Sequence, residues 1–225
     1  MSEIIRKYQT IIFDLDGTLL DTLNDIRNAG NLALRKHNFP THSLEKYRNT
    51  IGNGMKKLVT DLAPSSIDET KFNLLYQDFL NYYENEFVKT SLPYNKITEL
   101  INTLRKHNYK LAVLSNKKDQ YTNILINMHF PNTFQVIYGE RNDIPRKPHP
   151  HSIYEITEKL NVALANTILV GDSYVDYQTA LNAEILFIGV NWGFKKLDLK
   201  EMNSTSLLIN EPLELLDILE KLEKE

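Results

Sequence analysis

The chain contains no cysteine among its 225 residues. This absence excludes disulfides, thiolate metal sites and cysteine nucleophiles, and it fits a reducing compartment. Basic and acidic residues nearly balance, 26 against 29, so the sequence lacks the excess positive charge typical of nucleic-acid-binding proteins. No apolar run approaches the length of a membrane span, and the first ten residues lack the apolar core of a signal peptide. We therefore expect a cytoplasmic protein with no membrane or nucleic-acid partner.

Short apolar runs rich in β-branched residues recur along the chain and predict buried strands. The runs lie at residues 10–13, 109–114, 134–138, 167–170 and 186–190, with a weaker one at 207–209. Apolar residues at helical spacing predict helices over 97–107, 121–128 and 153–160. We expect a final helix with Asn210 as its N-cap and Pro212 in its first turn. Its predicted apolar face consists of Leu213, Leu216, Leu219 and Leu222.

Strands that alternate with helices predict an α/β fold with a Rossmann-like, doubly wound parallel sheet. The first connection is far longer than an ordinary crossover, because no convincing strand pattern lies between Phe13 and Tyr109. A mostly helical stretch fills this interval, so we expect an inserted α-helical cap domain. The predicted core domain comprises residues 1–20 and 92–225, and the predicted cap comprises residues 21–91.

Two acidic residues, Asp14 and Asp16, follow directly after the first predicted strand, and Gly17 permits the chain to turn there. Ligands bind at the carboxyl ends of strands in open α/β sheets. An acidic pair can bind a hard cation, or one carboxylate can act as a nucleophile while the other transfers protons. A solvated acidic turn is the competing interpretation of this motif taken alone.

A second acidic pair, Asp172 and Asp176, follows the predicted strand at residues 167–170. Acidic residues are also favoured at the start of a helix by its dipole, which is the alternative explanation. That explanation is weaker for two separate strand ends that both carry acidic pairs. The two pairs together predict a cation site at one edge of the sheet.

Two further segments carry groups that suit a phosphate. Lys147 lies in the run RKPHP, where the neighbouring prolines stiffen the backbone, and it could balance the charge of a phosphate and of carboxylates. Ser115 and Asn116 end the predicted strand at 109–114 and could bind phosphate oxygens. A plain loop and an ordinary helix N-cap are the respective alternatives.

These motifs, taken in order, resemble those of the haloacid dehalogenase superfamily of phosphatases. The matching residues are DLDGT at 14–18, Ser115 after LAVL, Lys147 in RKPHP, and GDSYVD at 171–176. The segment 189–194 resembles the strand and loop of phosphoglycolate phosphatase-like members. Glu184 stands where many relatives have glycine, which bears on the local turn and removes no catalytic group.

The resemblance implies a role for each matched residue. Asp14 would be the nucleophile that forms an aspartyl-phosphate, and Asp16 would protonate the leaving group and then activate water. Ser115 would hold a phosphate oxygen, and Lys147 would steady Asp14 and the phosphate. The implied cofactor is Mg²⁺, bound by Asp14, the backbone carbonyl of Asp16, Asp172 and Asp176. Thr18 and Asn116 are further candidates for substrate binding.

The cap segment Gly52-Asn53-Gly54-Met55-Lys56 resembles the substrate-facing loop of phosphoglycolate phosphatases. Gly52, Asn53, Gly54 and Lys56 are therefore candidates for substrate binding, with Lys56 placed to read a second anionic group. A helix–helix turn followed by solvated lysines is an equally good interpretation. Asp16 argues for phosphoryl transfer over carbon–halogen cleavage, because dehalogenases of the superfamily lack this second aspartate and a leaving halide needs no proton.

The favoured function is a Mg²⁺-dependent phosphomonoesterase that acts on a small phosphorylated metabolite, with phosphoglycolate as one candidate. An inorganic pyrophosphatase and a sugar-phosphate mutase are alternatives on the same scaffold. Phosphonate cleavage through an imine on Lys56 and a non-catalytic binding protein are less favoured. The oligomeric state is expected to be monomer or homodimer.

Overall fold

Six parallel strands form the central sheet of the protein, whose computed structural model describes residues 6–86 and 88–224. The strands are β1 (Thr10–Phe13), β4 (Lys110–Lys118), β5 (Val136–Glu140), β6 (Thr167–Gly171), β7 (Leu186–Val190) and β8 (Leu207–Ile209). They lie in the order β5-β4-β1-β6-β7-β8, and each neighbouring pair is parallel. The polypeptide therefore crosses over between strands, as the alternating sequence pattern predicts.

Helices cover both faces of this sheet. They are α5 (Ile97–Lys106), α6 (Asp119–His129), α7 (His151–Leu160), α8 (Tyr174–Asn182) and α9 (Glu214–Leu222), with 3-10 turns at Leu164–Asn166 and Leu199–Glu201. Alternate residues of β1 point to opposite faces: Ile11 and Phe13 join the apolar core under α5, α6 and α9, whereas Ile12 joins the core under α7 and α8. The predicted doubly wound α/β fold is confirmed.

The insertion between β1 and α5 is helical, as predicted, but it begins and ends in a short antiparallel ribbon. The ribbon consists of β2 (Leu20–Asp21) and β3 (Leu92–Pro93). Between its strands lie α1 (Leu23–Lys36), α2 (Leu44–Thr50), α3 (Met55–Leu62) and α4 (Glu69–Glu86). The expectation of no strand in this interval was wrong, because strands of two residues are too short to show a period of two. We refer to α1–α4 as the inserted helices, and the domain boundaries stay a prediction.

Several predicted boundaries differ from the structure. β4 runs four residues beyond Leu114. The prediction ended there because the residues that follow are polar, and an apolar pattern does not reveal that their backbone is extended. β5 begins at Val136, two residues later than predicted. The side chain of Phe134 packs instead against the rings of Phe13 and Phe130, at centroid distances of 6.4 and 5.9 Å.

The last helix also differs from its prediction. Leu213 is its N-cap, and Asn210 lies earlier, where its backbone N–H donates to the carboxylate of Glu214 at 3.0 Å. Leu215 and Leu219 are its fully buried residues, and Leu213 and Leu216 pack partly buried against the same core. The predicted stripe was therefore right at Leu213, Leu216 and Leu219, and it missed Leu215. None of the helices in the described part of the chain has the length and apolar character needed to cross a membrane.

Glu184 adopts a left-handed backbone conformation, with φ of 56°. Glycine takes this conformation without the steric cost that a Cβ imposes. Glu184, which stands where the resemblance predicts glycine, therefore occupies a turn that favours glycine.

Candidate active site

The acidic motifs meet at the carboxyl edge of the sheet. Asp14 and Asp16 follow β1, while Asp172 follows β6, the strand next to β1. The chain turns directly after Asp16, where Gly17 has φ of 88° and the carbonyl of Leu15 accepts from the backbone N–H groups of residues 18, 19 and 20. The turn keeps both aspartates near the end of the strand. Residues 14 and 16 would share a face even in a continuous strand, because alternate residues of a strand point to the same side.

Lys147 is buried between two carboxylates. Its ammonium donates to Asp14 Oδ1 at 2.8 Å, to Asp176 Oδ1 at 2.6 Å and to the carbonyl oxygen of Leu114 at 2.9 Å. Three acceptors satisfy the three N–H groups of the ammonium, which fixes its position. Burial lowers the pKa of Lys147, but the two aspartates raise it more, so the ammonium stays protonated.

Asp172 is held by the loop that follows β7. Its Oδ2 accepts from the backbone N–H of Phe194 at 2.6 Å and of Lys195 at 3.4 Å. Two glycines pack against this carboxylate: a Cβ on Gly17 would lie 2.3 Å from Asp172 Oδ2, and one on Gly193 would lie 2.5 Å from it. Any larger residue at either position would displace the carboxylate, so glycine at both positions leaves the space that the Asp172 side chain occupies.

Oxygens of Asp14, Asp172 and Asp176 lie within 4.8 Å of one another. Burial raises the pKa of Asp14 to about 7, and it raises the pKa of Asp172 well above its ordinary value. Lys147 lowers the pKa of Asp14, whereas the neighbouring Asp176 raises it. Three buried carboxylates beside one lysine leave an excess of negative charge. Oxygen ligands crowded in this way fit a hard divalent cation such as Mg²⁺.

Asp16 occupies a different environment from the other three aspartates. Lys117 donates to both of its carboxylate oxygens, at 2.6 and 2.7 Å, and the Thr22 hydroxyl donates to Oδ1 at 2.6 Å. Lys117 was not among the predicted site residues. Its position two residues after Ser115 on an extended strand could have revealed it, because alternate residues of a strand share a face.

Ser115 and Asn116 lie within β4, directly after its apolar residues. Ser115 lines the cleft in front of Asp14. Asn116 donates from Nδ2 to the carbonyl oxygen of Gly52 at 3.1 Å and to that of Lys147 at 3.0 Å, which joins the sheet to the inserted helices. The alternative N-cap interpretation was wrong for both residues, because Lys118 is the N-cap of α6.

The inserted helices form the other wall of the cleft, and that wall is apolar. Its side chains are Ile26, Ile51, Met55, Leu58 and Phe79. Of the predicted cap residues, Gly52 and Gly54 line the cleft, while Asn53 and Lys56 are exposed and lie outside its lining. Thr18 is buried, also outside that lining, and its carbonyl oxygen accepts from Trp192 Nε1 at 3.0 Å.

The cleft between the sheet and the inserted helices contains about 630 Å³ of empty space, a volume that includes open solvent. Lys195 also lines the cleft, and it is half-buried. Burial lowers the pKa of Lys195, although Asp172 raises it in part. Sequence analysis did not single out Lys195, because nothing in its local pattern marks it.

Comparisons with known proteins agree with this arrangement. A family model described as haloacid dehalogenase-like hydrolase matches residues 11–190. The phosphoglycolate phosphatase of Colwellia psychrerythraea is 27% identical over 197 residues, which are 84% of this chain and 87% of the relative. That of Haemophilus influenzae is 29% identical over 196 residues, with 84% and 88% covered.

Solved structures show the same fold. A crystal structure described as a predicted phosphoglycolate phosphatase from Haemophilus somnus superposes with a TM-score of 0.88 at 25% identity. The match covers 95% of this chain and 99% of that one. The family match spans the strands that carry all four acidic residues of the site. The chain therefore belongs to the haloacid dehalogenase-like hydrolase family, as one of its phosphatases.

Proposed function

We propose that the protein is a Mg²⁺-dependent phosphomonoesterase that acts through an aspartyl-phosphate on a small phosphorylated metabolite. The observation that carries this proposal is that Asp14 and Asp16 have different surroundings. Asp14 lies in a buried cluster with Lys147, Asp172 and Asp176, whereas Asp16 lies outside that group and pairs with Lys117. Lys147 and a bound cation would keep Asp14 ionised as the nucleophile, and the separate surroundings of Asp16 suit a group that carries protons.

In the first displacement, an oxygen of Asp14 bonds to phosphorus, the ester P–O bond breaks, and Asp16 gives its proton to the departing oxygen. In the second, Asp16 takes a proton from water, the water oxygen bonds to phosphorus, and the bond to Asp14 breaks. One carboxyl group therefore serves as acid and then as base. Ser115 would hold a phosphate oxygen during both steps, and Lys147 would steady the Asp14 carboxylate and offset the charge of the phosphate.

The approach of a phosphate dianion to the Asp14 carboxylate is opposed by charge repulsion. Lys147 offsets part of it, because its ammonium lies 2.8 Å from Asp14. Asp14, Asp172 and Asp176, with the backbone carbonyl of Asp16, would hold Mg²⁺. The bound cation would supply the remaining neutralisation of phosphate and carboxylate charge.

The apolar wall of the cleft favours a carbon-based leaving group. A pyrophosphatase or a sugar-phosphate mutase would have to bind a second phosphate there, and Lys56, the cation expected for that role, lies outside the cleft lining. Three lysines line the cleft, and Lys117 and Lys147 are paired with aspartates. Within residues 6–86 and 88–224, Lys195 forms no ion pair. It could receive a single carboxylate. We therefore propose phosphoglycolate, the substrate named for the relatives, as the first candidate.

The test is phosphate release from phosphoglycolate, ethyl phosphate, pyrophosphate and a sugar phosphate, with Mg²⁺ and with chelator. We expect metal-dependent release, fastest from phosphoglycolate, and a loss of at least about 10³-fold in Asp14→Asn, since removing a nucleophile has effects of this order or larger. Acid quenching should trap phosphate on the native protein and not on Asp14→Asn. Release that survives in Asp14→Asn would overturn the mechanism, and fastest release from pyrophosphate would overturn the substrate class.

A further inference from the structure

Lys117 links Asp16 to the inserted helices. Its side chain is 1% exposed, and its ammonium lies 2.6 Å from Asp16 Oδ1 on one side and 5.3 Å from the ring centre of Tyr83 on the other. Tyr83 lies on α4 and is fully buried. Burial lowers the pKa of Lys117, but Asp16 and Tyr83 raise it more, so the group is a buried cation. A buried cation with a carboxylate and an aromatic face as neighbours is held firmly in place.

Tyr83 belongs to a packed aromatic group that reaches the cleft. Its ring stacks on Phe79 at 5.9 Å and meets the edge of Tyr121, on α6, at 5.2 Å. Phe79 lines the cleft beside the site. The position of Lys117 therefore depends on how α4 packs against the sheet.

The side chain of Asp16 is oriented by contacts from other parts of the chain. It stands at a turn, next to Gly17, which has the conformational freedom of glycine. Its side-chain partners are Thr22, at the entry to α1, and Lys117, at the end of β4. A proton carrier displaced by about 1 Å can lose about 10²-fold in rate.

We propose that Lys117 is a positioning residue for proton transfer: it holds, by both oxygens, the carboxylate that Asp16 becomes once it has given up its proton, and it is itself held by the ring of Tyr83. This inference rests on the proposed phosphatase function. It makes the packing of α4 against the sheet a condition for the proton donor to be in place.

The test compares two esters in Lys117→Met, which keeps most of the side-chain length and removes the charge. An alkyl phosphate needs a proton on its departing oxygen, whereas the nitrophenolate of p-nitrophenyl phosphate departs without one. We measure kcat/KM, which reports steps up to departure of the leaving group. We expect a fall of about 10²-fold for the alkyl ester and of less than about fivefold for p-nitrophenyl phosphate. Asp16→Asn should give the same pattern, and adding Lys117→Met to it should cause no further loss on the aryl ester.

Lys118 provides a matched control. It is the next residue of β4, and its ammonium lies 5.8 Å from the ring of another tyrosine of α4, Tyr76, without contact to Asp16. Lys118→Met should change both values by less than about twofold. Tyr83→Leu, compared at equal folded fraction by thermal melting, should reproduce the selective loss on the alkyl ester.

Equal losses on both esters in Lys117→Met, or the same losses in Lys118→Met, would overturn the positioning role and leave the phosphatase proposal intact. A native protein that hydrolyses neither ester would overturn both proposals. The two failures are thus distinguished by the activity of the native protein itself.

Discussion

Asp14 has a carboxylate that is nearly buried and lies beside two others, and these surroundings govern its protonation. Burial raises its pKa from the ordinary 3.8 to about 7 despite the nearby Lys147. Asp172 is shifted in the same direction for the same reason. Without a bound cation, the folded protein therefore keeps protons in the cluster that the unfolded chain releases. A cation that binds the carboxylates must displace those protons.

We expect stabilisation by Mg²⁺ to grow as pH rises from 6 to 8. The raised pKa of Asp14 makes its contribution to stability complete below about pH 4, and that contribution is lost as pH rises through about 7. Because Mg²⁺ binds the deprotonated carboxylate, saturating Mg²⁺ should add about 1–2 kcal/mol more at pH 8 than at pH 6. Thermal melting measures this as an increase of about 3–5 °C in the Mg²⁺-induced shift of Tm.

Asp14→Asn serves as the control, because an amide does not titrate in this range. The pH dependence of the Mg²⁺ effect should become weaker in this variant. An equal Mg²⁺-induced shift at pH 6 and pH 8 in the native protein would contradict the linkage.

One buried carboxylate on helix α1 binds the segment through which the chain returns from the inserted helices to the sheet. Asp25 is fully buried. It accepts hydrogen bonds from the backbone N–H and hydroxyl of Thr90, at 3.0 and 2.7 Å, and from those of Ser91, both at 2.8 Å. Residues 90 and 91 lead directly into β3. The two connections of the inserted helices to the sheet are thereby joined at one point.

Asp25→Asn should lower the free energy of unfolding by about 3 kcal/mol. The amide nitrogen would face donors instead of accepting from them, and hydrogen bonds to a charged acceptor contribute about 1.5–3 kcal/mol each. Urea unfolding followed by circular dichroism measures the change. Asp21→Asn is the matched control: Asp21 is exposed, and its side chain accepts a hydrogen bond from the backbone N–H of Leu23 at 3.2 Å. A loss no larger in Asp25→Asn than in Asp21→Asn would refute the fastening role.

The inserted helices contact the sheet around the rim of the cleft. Asn116 donates to the carbonyl of Gly52, and the Tyr121 hydroxyl donates to the carboxylate of Glu84 at 2.9 Å. The ring of Tyr83 also packs against that of Tyr121 at 5.2 Å, while the ribbon of β2 and β3 is only two residues long on each side. Movement of the inserted helices about this short ribbon would admit substrate and exclude water.

Binding of Mg²⁺ with inorganic phosphate should slow amide hydrogen exchange in residues 51–58. This segment contains Gly52 and Gly54 and borders the cleft, so a ligand between the two walls restrains it. Mass spectrometry of peptides after deuterium labelling measures the effect. Exchange in α9 should stay unchanged, because that helix contributes no residue to the lining of the cleft. Unaltered exchange in 51–58 at saturating ligand would show that the inserted helices do not close on it.

Much of the fold and the clustered part of the site could be predicted from the sequence. The strand runs, the helical spacing and the acidic pairs are local patterns, and parallel strands bring their carboxyl ends to one edge. The expectation that Asp14, Lys147 and Asp176 lie together is met at 2.6–2.8 Å, although the roles of these residues stay predictions. The ribbon was missed because its strands are too short for a periodic pattern.

Local sequence patterns were enough to predict the α/β fold, the helical nature of the insertion and the acidic residues at the strand ends, because each is encoded within a few neighbouring positions. Which lysines enter the cleft depends on contacts between distant parts of the folded chain. Lys117 reaches Asp16 across 101 positions of the chain, whereas Lys56, in a glycine-rich segment that resembles a substrate loop, is exposed. The direction in which a helix turns its side chains depends on the surfaces it packs against, and those surfaces exist only in the folded chain.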